Sequence, residues 1–264
     1  MARVRAFTLV ELLVVIAIVI VLLSLLAPVL DTAIDLGITT KCAAHQHQLL
    51  NILNAYALDE NKRKYPSGVR EEPVEEAGVD SPIFVPFDFV RIVESYSGNN
   101  KSVRAAQQAG TVQWGMVPPL LVDPAYRDFG YRHELYGYVI GYNYLGGHPY
   151  LTRVNRDRGW RSPISLSDQG TGQMIACHNT WSNGSWSVAA HTLDGPLGED
   201  KAIDGYFYRG PGAGSDTKHP PMSSDGANVG RADGSAGWHD IDALNVYIAS
   251  TNRNGSAGAF GARW

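Results

Sequence analysis

The chain has 264 residues, 22 of them basic and 26 acidic, which gives a net charge of −4 at pH 7. Because the only basic cluster is the short run at 62–64, the sequence lacks the electrostatic footprint of a nucleic-acid-binding protein. Its two cysteines, Cys42 and Cys177, are too few and too far apart for a Cys-x-x-Cys zinc motif or a Cys-x-x-Cys-His haem motif.

The first predicted element is a membrane-spanning helix at 7–30, where Glu11 is the only formal charge. At about 1.5 Å per residue this run would span roughly 36 Å, which is enough to cross a bilayer. Arg3 and Arg5 precede the run and no basic residue follows before Lys41, so the N-terminus is predicted to face the cytoplasm and the rest of the chain to lie outside. A secretory signal would have a shorter, uncharged apolar core.

Residues 6–13, AFTLVELL, resemble the processing motif of type IV pilins and type II secretion pseudopilins. The resemblance implies that prepilin peptidase cuts between Ala6 and Phe7 and methylates the new terminal amine. It also implies a partner for Glu11, whose carboxylate would neutralise the Phe7 amine of a neighbouring subunit; a carboxylate in an apolar segment needs such a partner. Ala6 departs from the glycine that is usual before the cut. The alternative is a plain single-pass anchor with a chance glutamate.

Pro28 extends the resemblance, since many pilins have a proline at the matching position, where its missing N–H and its ring weaken the helix. Beyond it, apolar residues recur with a period close to 3.6, which predicts an amphipathic continuation over 31–61. The helix should end near Asn61, before the turn at Tyr65-Pro66. Residues 1–6 would then be a cytoplasmic leader, 7–61 one long helix, and 62–264 the head.

The head is predicted to be a single α+β domain of about 200 residues, in which a mainly antiparallel sheet packs on the long helix as in pilins. The acidic segment 70–80 indicates an exposed loop, and 86–96 a short helix that begins at a proline. Runs rich in Tyr, Val and Trp, separated by Gly, Pro, Asn and Asp, indicate strands at 111–117, 136–145, 173–178 and 185–191.

A hairpin is predicted near the C-terminus, where 228–232 and 235–238 flank Asp233-Gly234, a pair suited to a tight turn with two positive-φ residues. With Asp225-Gly226 before it, this segment resembles the C-terminal His-x9-Asp-Gly signature of large pilin-like proteins. The match is partial, because the position ten residues before Asp233 is Ser223 and the nearest histidine is His219.

No cofactor is predicted, but two further possibilities stay open. In an oxidising compartment Cys42 and Cys177 would form one disulfide between helix and head; the alternative is two buried thiols. The resemblance to pseudopilins also suggests calcium near the C-terminus, with Asp225 and Asp233 as candidate ligands, although aspartates in turns usually cap backbone amides. His45 and His47, two apart on a helix, point to different faces and should not chelate one ion.

The sequence contains no nucleophile elbow, zinc-protease, P-loop or dinucleotide motif, so no catalytic residue and no enzyme activity are predicted. The resemblance implies a structural subunit of a type IV pilus-like filament or a type II secretion pseudopilus. Its partners would be copies of itself, prepilin peptidase and the inner-membrane assembly machinery. It would occupy the inner membrane first, and then an extracellular filament or a periplasmic pseudopilus. The alternative is a membrane-tethered module whose Trp181 and Trp186 bind a glycan.

Overall fold

The computed structural model describes residues 8–59, 63–69, 80–98, 113–114, 117–126, 131–133, 137–168, 170–182, 187–191, 224–251 and 260–264. The chain divides into two compact units, Met1–Thr40 and Lys41–Trp264. The fold class is the predicted one: a long apolar N-terminal helix followed by antiparallel sheets in a globular α+β head.

Helix α1 runs from Leu9 to Asp59, so it begins and ends two residues inside the predicted range 7–61. It continues through Pro28, and the Thr32 hydroxyl donates to the Pro28 carbonyl oxygen at 3.0 Å. Within the described residues, α1 is the one helix long and apolar enough to cross a membrane by length and composition. A helix that is apolar all round, as α1 is in its first half, suits a membrane or a packed helix core.

The second half of α1 packs on the head through one face. The buried residues follow a helical spacing: Cys42, Gln46, Leu49, Leu50, Leu53 and Ala57. Leu50 covers Gly230 so closely that a Cβ on Gly230 would lie 2.9 Å from the Leu50 side chain. Gln46 donates to the Asn228 carbonyl oxygen at 3.1 Å, and Asn54 donates to the Ala232 carbonyl oxygen at 3.1 Å. The buried face of the predicted amphipathic helix therefore packs on the strand that contains 228–230.

The described head residues contain three four-stranded antiparallel sheets. The first has the order β1 (Phe84–Val85), β4 (Gly137–Val139), β3 (Tyr131–His133) and β2 (Gln113–Trp114). The second has the order β10 (Ala236–Asp240), β9 (Gly226–Arg231), β6 (Gln173–Cys177) and β5 (Tyr142–Tyr144). The third has the order β11 (Val246–Ile248), β12 (Phe260–Arg263), β7 (Asn179–Ser182) and β8 (Ser187–Ala189).

The described part of the head also contains two α-helices, α2 (Phe87–Ser97) and α3 (Pro149–Asn155). Helix α2 lies within one residue of its predicted range, and Pro86 is its N-cap. The predicted strand at 136–145 is in fact two strands, β4 and β5, which belong to different sheets. They separate at Gly141, whose amide donates to the Leu121 carbonyl oxygen at 2.7 Å. A Cβ on Gly141 would lie 2.2 Å from the Asp123 amide nitrogen, so glycine is what lets the 121–123 segment approach here.

A buried ion pair joins Asp80 to the start of α3. The Asp80 carboxylate contacts His148 Nδ1, and both side chains are fully buried. Its other oxygen accepts the amides of Tyr150 and Leu151 at 3.0 and 2.9 Å. The second ring nitrogen, His148 Nε2, lies 2.7 Å from the Tyr144 carbonyl oxygen. The Asp80 carboxylate therefore links the buried His148 ring to the first backbone amides of α3.

The C-terminal hairpin forms at the predicted residues but with a different turn. Gly234 has a φ of 91°, whereas Asp233 is not in the positive-φ region, so the expected turn with two positive-φ residues is wrong. Gly234 N donates to Arg231 O at 2.9 Å, and Arg231 N donates to Ser235 O at 2.7 Å. This is a type I turn closed by a glycine bulge, a three-residue hairpin loop in which the first two loop residues keep negative φ.

Gly234→Ala should lower the free energy of unfolding by about 1–2 kcal/mol, because an alanine at this φ brings its Cβ against the following carbonyl. That loss corresponds to a fall in Tm of roughly 2–8 °C for the purified full chain in detergent. Gly237→Ala in β10 is the matched control, since its Cβ would meet nothing within 4 Å and its φ is not positive. Equal effects of the two changes would contradict the assigned turn.

Candidate functional site

Glu11 lies in the first turn of α1 and forms a capping box with Thr8. Glu11 Oε2 accepts hydrogen bonds from the Thr8 amide and from the Thr8 hydroxyl, both at 2.8 Å, and the Glu11 amide donates back to Thr8 Oγ1 at 3.3 Å. The reciprocal pattern satisfies backbone donors that the helix start leaves without partners. The sequence contains the signal for this role at 8–11, a Thr-x-x-Glu pattern before an apolar run.

The capping box adds a second reason for a carboxylate at this position. Both described bonds from Thr8 end on one oxygen, Oε2, so the charge of Glu11 is still available to a cation at the helix start. Ala6 and Phe7, the predicted processing residues, lie outside the described residues. The structure therefore supplies the local geometry of Glu11, and its pairing with the Phe7 amine stays a prediction.

The first half of α1 presents an apolar surface on all sides. The large apolar side chains from Leu9 to Leu36 are 46% to 78% exposed. Pro28 lies within this segment and removes the backbone hydrogen bond that a residue there would donate to Ser24 O. An apolar surface of this extent is what a bilayer, or a set of neighbouring helices, covers.

A second group of chemically active side chains is buried in the head, and sequence reasoning found only half of it. We call it the buried cluster: Cys42, Asp123, Cys177 and His191. The ligand atoms of all four lie within 4.8 Å of one another. Both cysteines are free thiols here, with their sulfurs 2.9 Å apart, so the fold brings together the pair for which a disulfide was predicted. The disulfide itself stays a prediction.

Each member of the buried cluster comes from a different element. Cys42 is on α1, Cys177 ends β6, His191 follows β8, and Asp123 follows a short 3-10 turn at Pro119–Leu121. Asp123 Oδ1 accepts the Ala125 amide at 3.0 Å, which leaves Oδ2 facing Cys42 Sγ at 3.3 Å and His191 Nε2 at 3.5 Å. The carboxylate therefore lies at the centre of the group.

His191 is held by its backbone and by an aromatic neighbour. Its carbonyl oxygen accepts the Ser224 hydroxyl at 3.1 Å and the Asp225 amide at 3.0 Å, and its ring meets Trp238 edge to face at a centroid distance of 5.3 Å. The 3.5 Å separation from Asp123 is an ion-pair distance outside hydrogen-bonding geometry, and Nε2 has no hydrogen-bond partner in the described part of the chain. Within the described residues, His191 Nε2 therefore meets the cluster as the ion-pair partner of Asp123.

The electrostatics of the buried cluster are dominated by burial and by Asp123. Burial favours the neutral imidazole, but contact with the Asp123 carboxylate overrides this and raises the pKa of His191 to about 10. Burial alone would raise the pKa of Asp123, but His191 and the Ala125 amide hold that pKa below its usual value. Burial, with Cys42 and Asp123 as neighbours, raises the pKa of Cys177 well above its usual range. Without a bound cation, Cys177 is therefore a neutral thiol.

The candidate calcium ligands are not brought together. Asp225 and Asp233 lie at opposite ends of β9, whose six residues separate them by roughly 20 Å. Asp233 Oδ1 accepts the Ser235 amide at 2.9 Å and the Ser235 hydroxyl at 2.7 Å, which is the turn-capping role. The Asp225 backbone bonds His191 and Ile241. These two residues thus support the hairpin and the buried cluster.

The remaining candidates fall in different places. His45 Nδ1 lies 3.4 Å from Val122 O and His47 Nδ1 lies 2.7 Å from Gly234 O, so the two rings contact different segments, as their spacing predicts. Of Trp181 the structure describes the backbone in β7. Trp186 and His219 lie outside the described residues.

Residues 1–27 match the family model described as the prokaryotic N-terminal methylation motif, the type IV pilin-type signal. The match does not extend to the C-terminal Asp-Gly hairpin, and the His-x9-Asp-Gly resemblance is not supported by it. No curated protein and no solved structure matches the chain.

Proposed function

We propose that this chain, whose N-terminal methylation motif indicates a type IV pilin-like or pseudopilin protein, is a structural filament subunit that assembles through the first half of α1. A pilin-type signal implies processing by prepilin peptidase and work with the membrane assembly machinery. The single observation that carries the proposal is the exposed apolar surface at 9–30, in which Glu11 is the only charged residue.

The apolar surface supports assembly because two apolar environments can cover it one after the other, the bilayer and the filament core. In the inner membrane, lipid tails cover it. In a filament, the same Val, Ile and Leu side chains pack against neighbouring copies, which keep them out of water as the lipid tails did; exposing one to water would cost on the order of 1.5–3 kcal/mol. The head then lies in the periplasm or outside the cell, depending on whether the filament is a pseudopilus or a pilus.

Glu11 supports a defined register between subunits. A carboxylate within an apolar segment costs on the order of 2.5–3.5 kcal/mol on membrane-insertion scales, so it favours the arrangement in which a cation reaches it. The methylated amine of Phe7 on a neighbouring subunit is that cation in our proposal. The capping box with Thr8 fixes the start of the helix, and this sets the position from which Glu11 would meet the Phe7 amine.

The proposal is tested by electron microscopy of filaments sheared from the native cells, together with mass spectrometry of the N-terminal peptide. We expect filaments that contain this chain, with a peptide beginning at methylated Phe7. Single copies that remain in the inner membrane and begin at Met1 would contradict the proposal. In that case the tethered glycan-binding module would be tested next, with immobilised glycans and the full chain in detergent.

A further inference from the structure

We propose that the buried cluster of Cys42, Asp123, Cys177 and His191 binds a divalent transition-metal ion of the zinc class, which fixes helix α1 to the head sheets. This inference is independent of the proposed filament role, since it concerns only the unit Lys41–Trp264. It follows from the donor types, their separations, their burial and the residues around them.

The donor set suits zinc. Two thiolate sulfurs, one imidazole nitrogen and one carboxylate oxygen are all common zinc ligands, and four protein ligands make the closed tetrahedral site typical of structural zinc. Thiolate and imidazole donors disfavour calcium and magnesium, which take oxygen ligands. With all four positions filled by protein, no open position is left for a substrate, so the ion's role is structural.

The separations are close to those of a tetrahedral site. With metal–ligand distances of about 2.0–2.3 Å, neighbouring ligand atoms stand roughly 3.3–3.8 Å apart. Asp123 Oδ2 lies 3.3 Å from Cys42 Sγ and 3.5 Å from His191 Nε2. The two sulfurs, at 2.9 Å, are closer than a tetrahedral pair and farther apart than the roughly 2.05 Å of a disulfide bond. A side-chain rotation that separates them by less than about 1 Å brings the two sulfurs to the tetrahedral distance.

Burial supplies the second, independent argument. Asp123, Cys42 and Cys177 are fully buried, and His191 is 8% exposed with a ring nitrogen that has no hydrogen-bond partner among the described residues. A buried carboxylate is costly unless it is paired, and among the described residues its charged neighbour is His191. A divalent ion pairs with the carboxylate and uses the imidazole lone pair at once.

The charge and proton balance is simple. On binding, each thiol loses its proton to solvent and the imidazolium loses one, so three protons leave as one dication enters. The resulting site carries two thiolates, one carboxylate, a neutral imidazole and the ion, with a net charge of −1. Gln46 Nε2, 3.4 Å from Cys177 Sγ, donates toward one of these thiolates.

The surrounding residues already orient the ligands, as they do in metal sites. Gln46 lies one helical turn after Cys42, is fully buried and also donates to Asn228 O at 3.1 Å, which fixes its amide. The Ala125 amide holds Asp123 Oδ1. Such outer contacts set ligand orientation and charge, and their loss typically weakens metal affinity by about 10–100-fold.

The experiment uses the full chain, extracted in detergent from native cells without added metal. Bound metal is measured by mass spectrometry of the elements, and free thiols are counted in the same sample. We expect one zinc-class ion per chain with both cysteines free. The stripped, reduced chain should then bind one equivalent of Co²⁺ and show the absorption bands of a tetrahedral thiolate complex.

Variants separate the site from adventitious binding. Cys177→Ser and His191→Gln should abolish the tetrahedral cobalt spectrum, and Gln46→Ala should weaken Co²⁺ affinity by about 10–100-fold while leaving all four ligands in place. His239→Gln on β10 is the matched control and should bind as the wild type does. Circular dichroism checks that each variant is folded. If a ligand variant misfolds, the weaker Co²⁺ affinity of Gln46→Ala still tests the site.

Two results would overturn the proposal. The first is native protein without bound metal in which Cys42 and Cys177 are joined by a disulfide, which would support the alternative predicted from the sequence. The second is a Co²⁺ spectrum that His191→Gln and Gln46→Ala leave unchanged. Neither result affects the filament proposal, whose tests depend on residues before Lys41.

Discussion

Replacing Glu11 with valine should abolish filament assembly while leaving membrane insertion intact. Insertion should not suffer, because the change removes the one charge within the apolar run. Assembly should fail, because the Phe7 amine of the neighbouring subunit would be buried without its carboxylate. Removing one partner of a buried charge pair costs about 3–5 kcal/mol, or roughly a hundredfold or more in the association constant for each subunit. The measurement is the yield of sheared filaments relative to the chain retained in the membrane.

Two control variants distinguish charge pairing from helix capping. Glu11→Gln keeps a side chain that can complete the capping box with Thr8 but removes the charge, so it should fail to assemble as Glu11→Val does. Thr8→Ala removes the cap but keeps the charge; it should cost about 1 kcal/mol at the helix start and leave filaments in reduced yield. Normal filament yield from Glu11→Gln would show that Glu11 acts through the cap alone.

Asp80→Ala should lower the free energy of unfolding of the head by about 3–5 kcal/mol, a fall in Tm of roughly 6–20 °C. The change removes the carboxylate that pairs with the fully buried ring of His148, and also the acceptor of the first amides of α3. The backbone packs tightly on this site, since a Cβ on Gly68 would lie 2.2 Å from the His148 ring. Thermal unfolding of the purified full chain in detergent measures the effect.

Asp88→Ala is the matched control for Asp80→Ala. Asp88 pairs with Arg91 at 3.2 Å, but both side chains are more than half exposed, so its loss should cost less than about 1 kcal/mol. If the two aspartate variants unfold at the same temperature, the buried pair does not stabilise the head. Combining Asp80→Ala with His148→Ala should cost less than the sum of the single changes, since the double change leaves neither partner buried without the other.

The N-terminal helix follows from its sequence because the interactions that determine it are local. The apolar run, the charge asymmetry around it and the position of Glu11 all lie within about one helix length, and the helix begins and ends within two residues of the predicted bounds. The processing motif is likewise a contiguous string, and residues 1–27 match the model of the N-terminal methylation motif. Helix α2 and the place of the C-terminal hairpin were predictable for the same reason.

Only the tertiary structure decided which distant residues meet. Asp123 and His191 have no local signature, and they reach Cys42 and Cys177 across separations of tens of residues because Gly141 admits the 121–123 segment and β6 ends beside α1. The Asp80–His148 pair and the bulged turn at Gly234 also depend on packing and hydrogen bonds that residue patterns do not encode. Periodicity and propensity act within a window of the chain. Contacts between residues far apart in the chain depend instead on how loops close and on the register between strands.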